Sequence, residues 1–257
     1  MSEVARIFET CIENIVYAFY SMGVAMIVRE DAEGEVRRLR AQLERVQGRR
    51  MDAAVLPTHP ALAALLPGGG LRAGAVYTVA PSTSLLLSLL VGPSREGAWC
   101  AAIGMPTLGI EAAAALGVAL ERLVLIPDPG ERWVGVAATV AEVMPVVAVR
   151  PTGRVTDAEA ARLTARLRDR GATLLVQGVW PQAEAELELD EMEWSGLGAG
   201  YGYLQSRAVT VTVHSRRSPV PRRARMMLPD AGGALTAALP EATTARPELP
   251  PALRSVS

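Results

Sequence analysis

Five short, nearly unbroken apolar runs constrain this chain most: Ala75–Ala80, Ala98–Ile103, Leu123–Ile126, Val146–Val149 and Thr173–Val179. Between them the apolar spacing is helical, near 83–92, 109–119, 131–143 and 156–170. A strand that is apolar at every position must be covered on both faces, and strands alternating with helices are built as βαβ units around a parallel sheet. The fold class is therefore α/β, a mostly parallel sheet flanked by helices. The helix at 156–170 carries the clearest end signals. Thr156 and Glu159 have capping-box spacing, and Gly171 stands where a left-handed C-cap belongs. Its Arg162, Arg166 and Arg170 form an i, i+4 row that reads as a solvated face.

After Trp180-Pro181 the period changes to two. Ala183–Leu189 alternates apolar with acidic residues, Gly196, Gly198, Gly200 and Gly202 mark a wide turn, and Val209, Val211 and Val213 alternate with threonines. A third short strand is expected at Arg223–Leu228. These strands form an antiparallel extension on the end of the parallel sheet. Net charge is −1, but its distribution is uneven. Glu184, Glu186, Glu188, Asp190, Glu191 and Glu193 cluster in one block. Arg207, Arg216, Arg217, Arg222, Arg223 and Arg225 form the next, with Pro219 and Pro221 placing four of them around an exposed loop. Three readings of this basic block stand side by side: a docking surface for a partner protein, a DNA-backbone contact, or a charged strand edge neutralised by the acidic strand beside it. No aromatic residues interleave its bases, so a stacking platform for single strands is not evident.

The ends differ in composition from the middle. Residues 1–25 hold both phenylalanines and the only asparagine of a chain otherwise rich in Ala, Gly, Arg, Pro and Val. They read as a misassigned or disordered extension, with Met22, Met26 or Met51 as alternative starts. The span Ile12–Val28 is too short and too interrupted by Glu13 and Asn14 for a membrane anchor. Residues 26–56 form an N-terminal helix and linker. Val36, Leu39, Leu43 and Val46 make one narrow apolar stripe, suited to a helix-mediated contact with the chain itself or with a partner. The core spans 57–233, and 234–257 reads as a disordered tail.

Chemistry is conspicuous mainly by what it lacks. All 26 basic residues are arginine. Cys11 and Cys100 lie far apart, and His59 and His214 join no metal-ligand cluster, so no metal and no cofactor is expected. There is no Gly-x-Ser-x-Gly elbow, and neither histidine sits beside a nucleophile. Gly68–Gly70, Leu71, Arg72, Ala73 and Gly74 lead into the first apolar run. Where a phosphate-cradling loop would then need glycines and Gly-Lys-Ser/Thr, the chain gives Ser82, Thr83 and Ser84, followed by Leu85, Leu86 and Leu87.

Taken in series, these segments resemble the RecA core from about Leu66 to Gly233. Leu66–Gly74 resembles that family's glycine-rich lead, Arg95–Ile103 its second strand, and Leu116–Leu123 the segment before its third. The departures are as informative. The loop after Ala80 is short and lacks lysine. Val146–Val149 ends in Arg150 rather than a Mg²⁺-binding aspartate, and no glutamate is placed to activate water near Ala102–Met105. Gln177 resembles the family's nucleotide-sensing glutamine. A degenerate core of this kind with a basic extension is similar to the ImuA′ family, RecA-like accessory proteins of the actinobacterial mutasome. That resemblance implies a cytoplasmic, nucleoid-associated, non-catalytic role in damage-induced translesion synthesis, with an ImuB-like Y-family polymerase homologue as partner and no membrane. A single-stranded-DNA-binding or filament-modulating RecA paralogue is the alternative, and a SulA-like cell-division inhibitor a further one.

Overall fold

Each apolar run forms a strand close to its predicted bounds, because each fills one slot of a sheet that is covered on both sides. The computed structural model describes residues 54–198 and 201–237, and the stripe Val36, Leu39, Leu43 and Val46 lies outside them. A small ladder of β1 (Val55–Leu56) and β2 (Leu71–Arg72) flanks helix α1 (Pro60–Ala63). There follow β3 (Val76–Val79), α2 (Thr83–Arg95), β4 (Cys100–Ile103), α3 (Ile110–Leu116), β5 (Leu123–Ile126), α4 (Trp133–Val140), β6 (Val146–Val149), α5 (Asp157–Arg170) and β7 (Thr173–Gln177). The extension consists of β8 (Ala185–Gly198), β9 (Tyr201–Ser215), β10 (Ser218–Met227) and β11 (Thr236–Ala237).

The main sheet has nine strands in the order β11-β10-β9-β8-β3-β7-β6-β4-β5. It is parallel from β8 through β5 and antiparallel from β8 outward. Strand alternation sorts its side chains into two cores. On one face Tyr77, Val79, Ala102, Ala148 and Leu175 pack with the leucines of α2, and this core runs on under the extension through Leu187, Val209, Val211 and Val213. On the other face Val76, Ala101, Ile103, Val147 and Val176 meet Trp133 of α4 and Leu163 and Leu167 of α5. No described helix covers that second face over β8–β10. The residues there are accordingly polar: Thr210, Thr212, Glu188, Arg223 and Arg225.

Helix α5 starts on the capping box, with the Thr156 side chain accepting from the Glu159 amide, and stops at Gly171 with φ 69°. Both signals sit where they were read, and Arg162, Arg166 and Arg170 are exposed. The extension departs from expectation in three ways. First, β8 and β9 continue as one ladder through the glycine stretch read as a wide turn. Gly196 (φ 107°) and Gly202 (φ 113°) let the two backbones approach, and a Cβ on Gly202 would stand 2.3 Å from the Gly196 carbonyl oxygen. Second, β10 begins at Ser218, so Arg222 and Arg223 lie on a strand and not in an exposed loop; Pro219 and Pro221 fall within a register shift between Ser218 and Arg222. Third, the acidic and basic strands are not neighbours, because β9 runs between them. The described strands run from the β1 ladder to β11, and Leu235 is buried.

Two glycines give opposite tests of this packing. Gly92 in α2 faces the chain leading into α1, and a Cβ there would stand 2.3 Å from the Pro57 carbonyl oxygen. Gly135 in α4 is exposed with nothing within 4 Å. Gly92→Ala is expected to destabilise by roughly 1–3 kcal/mol through overpacking. Gly135→Ala should stabilise by about 0.5–1 kcal/mol through helix propensity. Chemical denaturation of both variants checks the pair.

Candidate functional site

The carboxyl end of β3 is where a phosphate-binding loop would lie, and only Ala80, Pro81 and Ser82 separate β3 from α2. Ser82 is the N-cap of α2; its hydroxyl accepts from the Leu85 amide at 3.4 Å and lies 3.1 Å from the Ser84 hydroxyl. Leu85, Leu86 and Leu87 are buried in the core beneath the loop. Nothing in this turn is long enough to wrap a phosphate chain.

The position is instead filled from two sides by guanidinium groups. Arg150, at the end of β6 where the metal-binding aspartate was missed, donates from Nε to Gln177 Oε1 at 2.6 Å and from Nη2 to Thr83 Oγ1 at 3.4 Å. Gln177 is buried and its amide nitrogen donates to the Ala80 carbonyl at 3.4 Å, so it ties the ends of three core strands together. Arg207 arrives from β9. Its Nη2 donates to Ser84 Oγ at 2.7 Å and reaches Ser82 Oγ at 3.5 Å, while Nε donates to the Leu228 carbonyl at 2.8 Å. Its guanidinium also lies over the Trp194 ring, 5.3 Å from the centroid, and burial lowers its pKa. In sequence, no arginine replaces the missing lysine. In space, Arg207 reaches the hydroxyls that such a lysine would stand beside, from 123 residues away.

Chemically, this notch offers hydroxyls, the first amides of α2 and two cationic side chains. No carboxylate is bonded to any of Ser82, Thr83, Ser84, Arg150, Gln177 or Arg207 among the described residues. The groups that would hold Mg²⁺ or activate water are thus not part of the constellation. Other nucleophile candidates are equally constrained. Cys100 is buried, which pushes its thiol up to about 12. His59 caps α1 by accepting from the Ala61 amide, and His214 lies 3.2 Å from Glu188.

The six arginines read as one contact surface are dispersed by the fold. Arg217 pairs with Glu184 at 2.5 Å, Arg225 with Glu193 at 2.6 Å and Glu191 at 3.7 Å, and Arg223 with Glu191 at 3.4 Å. The pairs of Arg223 and Arg225 bridge over the small threonines of the intervening β9, whereas Arg217 reaches Glu184 from the β9–β10 turn. The Thr210 hydroxyl donates to Glu191 at 2.6 Å, which with Arg223 holds that carboxyl below its ordinary value. Arg222 donates to the Ala64 carbonyl at 3.3 Å. Arg216 lines an open cleft of about 340 Å³ between the helix-free crossover 178–184 and the polar face of β8 and β9, with His214 and Glu186.

The residues that sequence reading missed are apolar. Met192, Trp194, Leu197, Tyr203 and Leu204 are all exposed on the β8–β9 hairpin. Their signal was weak, because the glycines among them read as a turn.

Fold and site together define an α/β protein with a mostly parallel sheet, an antiparallel C-terminal strand set and a short β3–α2 turn flanked by two arginines. Residues 64–182 match the family model described as the MT3502 N-terminal domain, a span that covers the parallel core and stops short of β8. The chain is 41% identical over 120 residues to the uncharacterized protein Rv3395c of Mycobacterium tuberculosis. The match takes in 45% of this chain and 59% of that protein's length. No helix among the described residues is long and apolar enough to cross a membrane.

The Glu191 cluster gives a pH-dependent test. Because its folded pKa lies below the ordinary value of 4.5, its contribution to stability is present above that value and is lost as pH falls through the folded pKa. Thr210→Val removes the largest cause of the shift. The variant should show a higher Glu191 pKa by NMR titration, and its stability deficit against wild type should shrink as pH falls through the folded pKa of wild-type Glu191.

Proposed function

We propose that this chain is a non-catalytic, RecA-like accessory factor of damage-induced translesion synthesis, acting by assembly with an ImuB-like Y-family polymerase homologue. One observation carries the non-catalytic half. The place of a nucleotide's phosphates is a three-residue turn, the hydroxyls of Thr83 and Ser84 just after it are taken by Arg150 and Arg207, and no carboxylate among the described residues is bonded to them. Hydrolysis of a triphosphate depends on a positioned metal and an oriented water. The assembly half is supported by the resemblance of Leu66–Gly233 to the degenerate RecA cores of mutasome accessory proteins. The open, mostly uncovered face of the extension is consistent with it.

In this reading the two arginines are structural. They substitute for the bound nucleotide in tying α2 to β6 and β9, so the fold needs no ligand to hold those elements together. Arg207→Ala removes a half-buried group with hydrogen bonds to Ser84 and Leu228 and a ring contact to Trp194, and should lower stability by about 1–3 kcal/mol.

Two measurements test the function. Purified full-length chain with ATP and Mg²⁺ should show no turnover above background. Co-expressed with the ImuB-like protein of its own genome, it should co-purify at a defined stoichiometry, and Ser82→Ala/Ser84→Ala should leave that yield unchanged. Turnover abolished by the same double substitution would overturn the non-catalytic reading. Failure of wild-type chain to co-purify would overturn the assembly.

A further inference from the structure

The β8–β9 hairpin leaves the sheet. β8 is paired to β3 only over Ala185–Leu187, and β9 to β10 only over Ala208–Ser215. The Arg207 backbone still exchanges hydrogen bonds with Leu228 and Pro229, and from Ser195 and Ser206 onward the two strands pair only with each other. The arm and its root hold five of the twelve large hydrophobic side chains exposed among the described residues: Met192 (58%) and Trp194 (51%) at the root, Leu197 (64%), Tyr203 (85%) and Leu204 (53%) beyond it.

They occupy both faces of the arm. Trp194 stands opposite Arg207, and strand alternation puts Tyr203 on that same face. Leu197 stands opposite Gly202, which places it with Leu204 on the other. Together these side chains offer on the order of 500 Å² of apolar surface divided between the two faces, and apolar surface gathered on one exposed element marks an interaction site. A hairpin solvated on both sides is marginally stable by itself, so burying the arm would also stabilise it.

The charge around the arm selects the occupant. β8 carries Glu186, Glu188, Asp190, Glu191 and Glu193, all exposed, against Arg207 as the single arginine of the two strands. Arg207 is already engaged with Ser84 and Trp194. The arginines of β10 that approach are paired to Glu191 and Glu193, and Asp190 has no ion pair among the described residues. A nucleic acid and an anionic bilayer both bring negative charge to this acidic strand and are disfavoured.

We propose that the β8–β9 arm is a docking element for a partner protein segment that is both apolar and basic. It clasps the arm across both faces, Trp194 and Tyr203 on one and Leu197 and Leu204 on the other, while setting its own Lys and Arg side chains against the β8 carboxylates, which share the second face. The proposal rests on the assembly reading for which protein supplies the segment, but not for the segment's chemistry. It moves the contact from the arginine block, which the fold largely neutralises, to the apolar arm beyond it.

The test uses the full chain and a pair of synthetic amphipathic helical peptides with one apolar face, their polar faces made of Lys/Arg or of Glu. The basic peptide should bind, and Trp194→Ser/Leu197→Ser/Tyr203→Ser should weaken it at least about tenfold. Tyr203→Ser alone, at the most exposed of these positions, should weaken it about threefold with the thermal midpoint unchanged. Binding that the triple variant retains, equal binding of the acidic peptide, or no binding of the basic one overturns the proposal. So does binding of a single-stranded oligonucleotide or of phosphatidylserine vesicles that the triple variant alone loses. Adding the ImuB-like protein separates the two claims. If it fails to bind wild-type chain while the basic peptide docks on the arm, the arm stands and the assembly reading falls. If it binds wild type and triple variant alike, the assembly stands and the arm falls.

Discussion

Strand β3 is the constraint on which the rest of the structure depends. It is buried on both faces and hydrogen-bonded along both edges, to β7 and to β8. That forces every one of its residues into a packed position, including Tyr77, whose hydroxyl accepts from the Arg72 amide at 2.9 Å and whose pKa burial pushes up to about 12. Because β8 joins β3 in parallel and β9 then turns back, β3 is also where the parallel core hands over to the antiparallel extension. Its carboxyl end sets the position of the turn into α2.

At that loop the same geometry that would serve a nucleotide is satisfied internally. A helix N-terminus with free amides favours an anion. Placing two arginines beside it is electrostatically the reverse of neutralising it, and the hydroxyls of Thr83 and Ser84 bridge the two by accepting hydrogen bonds. The outcome is a rigid, cationic junction of β6, β9 and α2 rather than a cradle. Rigidity here has a consequence further out: Arg207 anchors the base of the β8–β9 arm through Trp194 and Leu228, so the arm leaves the sheet from a fixed root.

The parallel core was legible because its signals are local. Leu123–Ile126 and Val146–Val149 coincide with the observed strands, and the Thr156–Glu159 box and Gly171 bound α5 as read. The extension was legible only where apolar and polar residues strictly alternate, at Ala183–Leu189 and Val209–Val213. Beyond that the glycines concealed a ladder, since they are required by close backbone approach at Gly196 and Gly202 and not by a turn. Pro219 and Pro221 misled for a similar reason. A proline breaks an inner strand, but a register shift accommodates it.

What the sequence determined by itself is the layered α/β core and the absence of a lysine-bearing phosphate loop. Strand burial, helix caps and the absence of lysine are all written in neighbouring residues. What only the tertiary structure decided is which long-range partners fill the vacated site and which surface is left over. Arg207 belongs to the junction with Ser84 and not to the basic block, while Arg223 and Arg225 are neutralised across an intervening strand and Arg217 from the β9–β10 turn. These outcomes depend on strand order and register, which place residues far apart in the chain within bonding distance. No periodicity along the sequence encodes that proximity.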